Sequence, residues 1–282
     1  MTDAYLDESG VHDDARVCVV AGFFGGSGKW KKFESDWRRL LRQFDVPLAE
    51  FHAKDIFPKP KGFFHPTKWN ADRQAFLSAI AETIASHTKI HPVSGGIIVS
   101  DFKSFSQAER RFMTGATNKN GKLVSSGCPG KPYFVPFQHV VRTICSYAPV
   151  GGKAHFHFGL ARPFAEYATA LAEQMKADDL QGGLWGWKDR LGRVESPLAS
   201  QTPQLQAADF LANLTYHHML DAGTDLGIVP PSPLLLTCLE NRISEEDFFF
   251  SSEYTLRRTL DESVGVEQFL RENLVLLRPQ EL

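Results

Sequence analysis

The chain has 282 residues, 43% of them hydrophobic and 23% charged, with 22 phenylalanines and a formal net charge of −2. That is enough apolar material for a sizeable core in one large domain or two small ones, and the charge argues against a generally basic nucleic-acid binder. No apolar run reaches the roughly 20 residues a membrane span needs, so no membrane association is expected. The opening "MTDAYLDESG" lacks the basic-then-apolar order of a signal peptide. Four scattered cysteines, Cys18, Cys128, Cys145 and Cys238, form no CxxC pair, which leads to an expectation of reduced thiols and a cytoplasmic location. The charge is uneven. Residues 222–282 carry eleven acids against five basic residues, which leaves a mildly basic body and an acidic tail.

In chain order, residues 3–7 alternate and predict a strand that ends on Asp7 and Glu8 before a Ser9-Gly10 turn. "VCVVAGFF" is β-branched and apolar, and predicts a second strand pairing back on the first. "KWKKFESDWRRLLRQF" sets Trp30, Phe33, Trp37, Leu40, Leu41 and Phe44 at helical spacing. "PLAEFHAKDIF" reads as a short extended piece, with Glu50 and His52 on one face, and "PKPKGFFHP" as a loop. A helix follows over "NADRQAFLSAIAETIASH", then a strand, "VSGGIIVS", ending at Asp101. "SFSQAERRFM" predicts a helix, and residues 114–131 a long Gly/Lys/Ser-rich loop. "VPFQHVVRTICSYA" predicts a helix, "KAHFHFGL" a strand, and "PFAEYATALAEQMKA" and "TPQLQAADFLANLTYHHML" two more helices. This order points to an α/β domain around a mixed sheet over residues 1–221. "PPSP" marks a break, and residues 222–282 are expected to form an acidic, mainly helical extension packed on that domain.

Several stretches invite a chemical reading and lose it on inspection. "GFFGGSGKW" is no phosphate loop: Phe23 stands where the first glycine is required and Trp30 where Ser or Thr is required. His155 and His157 share a strand face and could share a metal, but no third ligand is adjacent in sequence, and hydrogen-bonded imidazoles are the simpler expectation. His217 and His218 point in different directions on a helix. Gln206, Asp209, Asn213 and His217 form a polar stripe on the last helix of the body, which taken alone reads as a solvent-facing surface.

Three stretches taken together carry more. "YLDESG" on the first strand, "EFHAKD" after the first helix and "QLQAADFLA" on a late helix resemble, in order, the signature stretches of the domain-of-unknown-function 3800 family, which is assigned to the ribonuclease H-like superfamily. The resemblance covers roughly residues 1–220. It implies a ribonuclease H-like fold, with a central mixed five-stranded sheet flanked by helices, and acids that converge at the carboxyl end of the first strand to hold Mg or Mn. Carried over by position, Asp7, Glu50 and Asp209 become catalytic metal ligands. Glu8, Ser9, His52 and Gln206 become supporting or substrate-positioning groups. One departure stands out. Gly159 occupies the place near the fourth strand where the superfamily usually has another acid, and Asp101 ends a different strand.

Two functional classes follow. The first is a metal-dependent nuclease or phosphodiesterase-like hydrolase. Residues 103–131 hold six basic side chains and one acid, Glu109, and Lys119, Lys122 and Lys131 are its expected nucleic-acid contacts. The second is a catalytically degenerate ribonuclease H-like protein that binds nucleic acid or a protein partner without cleavage, which the Gly159 departure favours. A self-associating protein, and with it a homo-oligomer, stays open through the aromatic-rich "EEDFFFSSEY".

Overall fold

The computed structural model describes residues 1–12, 14–57, 59–114, 117–119, 122–124, 130–159, 164–177, 188–223, 229–244, 247–251 and 256–258. Strand β1 (Thr2–Ser9) alternates as expected: Thr2, Ala4 and Leu6 are buried, while Asp3, Tyr5 and Asp7 are only partly so. Strand β2 (Val17–Gly26) is buried along nearly its whole length, because helices cover both of its faces. The two pair antiparallel with Asp7 opposite Ala21. The turn between them needs Gly10, whose φ is +76° and whose missing Cβ leaves room for the ring of Tyr216.

Helix α1 (Trp30–Gln43) buries Trp30, Phe33, Trp37, Leu40 and Leu41 as its spacing predicts. A short helix, α2 (Ala53–Ile56), and a longer one, α3 (Arg73–Ala85), lead to strand β3 (Ile90–Ile98), antiparallel to β2. Helices α4 (Val99–Lys103) and α5 (Gln107–Met113) precede a small hairpin, β4 (Thr117–Lys119) with β5 (Lys122–Val124). Helix α6 (Phe134–Tyr147), strand β6 (Ala154–Phe158), helix α7 (Phe164–Ala177) and strand β7 (Leu191–Glu195) follow. The body closes with helix α8 (Pro203–Ala222), and the tail adds helix α9 (Pro233–Cys238) and strand β8 (Phe248–Ser251). The main sheet is mixed and runs β7-β6-β1-β2-β3-β8. β6 lies parallel to β1, β7 parallel to β6, and β8 parallel to β3. Five strands come from the body, as expected, and the tail supplies a sixth. One core packs α1, α3, α8 and α9 against the sheet, and the other packs α4 to α7 on the opposite face.

Four local expectations change. "AEFHAKD" is not extended: Leu48–Glu50 form a 3-10 turn and Ala53–Ile56 a helical turn. Asp101 sits inside α4 rather than at the end of β3. The stretch 114–131 contains the β4–β5 hairpin. The polar stripe of α8 faces the interior: every residue from Pro203 to Thr215 is buried, because the sheet covers one side of the helix and α1, α2 and α9 lie against others. Cys18, Cys145 and Cys238 are buried free thiols, and Cys128 lies outside the described residues. No helix among the described residues is long and apolar enough to cross a membrane.

Candidate carboxylate site at the end of the first strand

β1 delivers Asp7 to the sheet face covered by α8, and α8 delivers Asp209 to meet it. Burial pushes the Asp7 carboxyl well above its usual range, and the charges of Asp209 and Glu8 push it further. Glu8 leaves the strand on the other face, where its charge reaches Cys18 and Tyr133. Its carboxyl nevertheless comes within hydrogen-bonding reach of Asp7, and β6 ends beside Asp7. There Gly159 donates its N–H to the carbonyl of Leu6 at 3.0 Å. A Cβ on Gly159 would lie 2.5 Å from Asp7 Oδ1. The glycine is therefore the space in which the Asp7 carboxylate sits, and no side chain fits there with Asp7 so placed.

Asp209 is 8% exposed and built into the fold. Its Oδ2 accepts hydrogen bonds from the Ala53 backbone N–H and from His52 Nδ1, each at 2.8 Å. It thereby caps α2 from a distant part of the chain, where His52, the residue preceding the helix, makes no side-chain cap of its own. Both bonds fall on one oxygen, which leaves Oδ1 for another partner. His52 is about half exposed; with Nδ1–H given to Asp209, its Nε2 is the open nitrogen.

Gln206 is a structural brace. Trp37 Nε1–H donates to its Oε1 at 2.9 Å, and its Nε2 donates to the Leu48 carbonyl at 2.6 Å. It ties α1 and the turn before His52 to α8, and so sets where the "EFHAKD" segment lies. Glu50 stands apart: it is exposed at the end of the 3-10 turn, and the acids that act on Asp7 are Asp209 and Glu8. Ser9 ends β1, partly buried. Lys131 is exposed; Lys119 and Lys122 fall in β4 and β5, and their side chains lie outside the description.

Asn213 was visible in the sequence stripe but received no role there. It lies one helical turn beyond Asp209 and one before Tyr216, which covers Gly10. It is 7% exposed, and its Oδ1 is buried without a hydrogen-bond partner among the described residues. A buried carboxamide oxygen left in this way is costly unless something occupies it.

The "HFHF" strand carries no such signal. His155 Nδ1 accepts the Arg193 N–H at 3.0 Å. His157 stacks on Tyr5 and lies 3.8 Å from Asp3 and 3.5 Å from Glu195. Burial, reinforced by Asp3, lifts the Tyr5 hydroxyl to about 12.

Among the described residues, no group of three or more His, Cys, Asp or Glu side chains is arranged to hold a metal ion. What does converge is a pair of carboxylates on rigid elements, with an amide oxygen one turn away. Two facing acids in a partly desolvated site repel unless a proton or a cation intervenes. Carboxylate and amide oxygens are the donor types a hard divalent ion takes. This set does not reproduce the trio of Asp7, Glu50 and Asp209. The chain matches no protein-family model, no curated protein and no solved structure.

Proposed function

We propose that the chain is a divalent-metal-dependent nuclease or phosphodiesterase-like hydrolase of the ribonuclease H-like type, acting at the end of β1. The observation that carries this reading is the approach of Asp7, from the first strand, to Asp209, from the last helix of the body, at the carboxyl end of β1. The mixed sheet flanked by helices, and the acids at that strand end, agree with what the sequence resemblance implies. Asp7, Asp209 through Oδ1, and Asn213 through its amide oxygen would hold one Mg or Mn ion. When bound, the ion supplies charge stabilisation at a phosphodiester oxygen and acidifies a water.

The chain's own residues do the rest. Asp209 holds His52 with Nδ1 protonated, so Nε2 can accept a proton from a water at the site mouth. Gln206 fixes the turn that carries His52. Gly159 keeps the Asp7 carboxylate in place. Glu50, exposed on the 3-10 turn, stands outside that donor set.

A second reading has one specific observation behind it. The space where the superfamily's further acid would stand is filled by the Asp7 carboxylate itself. Fewer acids bind metal more weakly, and the same cleft could hold nucleic acid or a protein partner without cutting. Incubation of the parent, Asp7→Asn and Asp209→Asn with single- and double-stranded DNA and RNA, in Mg or Mn, separates the two. Cleavage by the parent alone supports the hydrolase. Binding without cleavage across all substrates transfers the reading to the non-catalytic class.

A further inference from the structure

On the other face of β1, beside the carboxylates, lies a pocket of about 280 Å³ between the turn after β1, α4, α5 and the start of α6. Lys103, Arg110, Arg111 and Lys131 line it together with His12 and Tyr133, and no Asp or Glu is among its lining residues. Of the acids nearby, Glu109 takes Arg257 at 2.8 Å and the Ser106 N–H, and the Asp101 carboxylate accepts a hydrogen bond from the Ser100 hydroxyl at 3.4 Å. Arg110 has a buried Nε with no hydrogen-bond partner among the described residues. Arg110 as a whole is partly exposed, so it is this one buried N–H that an anion in the pocket would satisfy. The pocket shares a wall with the carboxylates: the Glu8 charge reaches both Cys18 and Tyr133, which line it.

We propose that this pocket is a phosphate-binding subsite that seats one phosphate-bearing, nucleotide-sized unit of a nucleic-acid strand, so that the adjoining phosphodiester lies over Asp7 and Asp209. The cavity is larger than a phosphate alone needs and approaches the lower end of ligand-pocket sizes. Basic side chains lining one cavity supply the charge-assisted contacts, bidentate from arginine, that phosphate recognition uses. The placement of the phosphodiester rests on the hydrolase reading; anion binding by the pocket does not.

The test is a titration of the full chain, in metal-free buffer, with inorganic phosphate, adenosine 5′-monophosphate and a 5′-phosphorylated dinucleotide. The dinucleotide is expected to bind tightest. Arg110→Gln should weaken it by about ten- to a hundredfold, the range for a lost charge-assisted hydrogen bond. Lys103→Gln, at an exposed position where folding is not at risk, should weaken it less and lower the salt dependence by about one ion. Equal binding of inorganic phosphate and dinucleotide would overturn the strand assignment. Binding untouched by both pocket variants, or no binding at all, would overturn the subsite. Manganese titration of the same samples keeps the two ideas apart: metal binding without phosphate binding removes only the pocket, and the converse removes only the metal site.

Discussion

Replacing Gln206 with methionine isolates the brace that holds the candidate site together. Methionine keeps nearly the same volume, so little cavity arises, and the change reduces to two lost hydrogen bonds. Trp37 is 0% exposed, and its indole N–H has Gln206 Oε1 as its partner. Leaving that donor unsatisfied costs about 1–3 kcal/mol. The Leu48 carbonyl loses its bond from Gln206 and can recover water, at about 0.5–1.5 kcal/mol. The sum is about 1.5–4.5 kcal/mol, which for a chain of this size lowers Tm by about 3–8 °C. Urea unfolding followed by circular dichroism and tryptophan fluorescence measures it. The variant should also become protease-sensitive in the turn that leads to His52. A loss below about 0.5 kcal/mol, the usual range for a surface substitution, would refute the assignment of Gln206 as a buried brace.

Other consequences follow from the same contacts. An acid whose folded pKa is raised binds more protons folded than unfolded, so in metal-free buffer the stability contributed around Asp7 is greatest below its unfolded pKa and falls as pH rises toward the raised value. Asp7→Asn removes that slope and should melt higher than the parent at neutral pH in a chelator; identical pH profiles of Tm would count against the buried, Asp209-facing carboxylate. Gly159→Ala places a methyl 2.5 Å from Asp7 Oδ1 and should shift the carboxylate, weakening manganese binding about tenfold at a stability cost of about 1–3 kcal/mol. Calorimetry and melting of that variant check both parts. Asp209→Ala strips Ala53 N–H and His52 of their shared acceptor and should destabilise by about 1–3 kcal/mol, whereas Asp209→Asn keeps an oxygen for Ala53 and should fold nearly as well. Equal melts for the two variants would deny Asp209 its capping role.

What the sequence could and could not reveal has physical causes. Strand β1 was legible because Ala4 and Leu6 alternate with Tyr5 and Asp7, and α1 because its five buried side chains fall on one helical face. The stripe on α8 misled. Polar residues at helical spacing ordinarily face water, but here Gln206 and Asp209 satisfy distant partners, Trp37, Leu48, His52 and Ala53, and burial depends on those partners. "EFHAKD" failed as an extended segment for the same reason: four residues carry no periodicity, and the cap of α2 comes from α8. β7 offers only Leu191 and Val194 as apolar residues, and β8 is four residues in an acidic tail, so neither declares itself without the sheet edge it joins. The basic pocket was half visible as a positively charged stretch, but the sequence could not show that α4, α5 and the start of α6 close around one cavity.

The most direct test of the central claim is calorimetric titration of Mn²⁺ into the parent, Asp7→Asn and Asp209→Asn, all shown to be folded by circular dichroism. A carboxylate site at the end of β1 predicts saturable binding with one ion per chain in the parent, lost in both variants. Binding that persists unchanged in the variants, or a folded parent that takes up no ion at millimolar Mn²⁺ even with phosphate present, would contradict it.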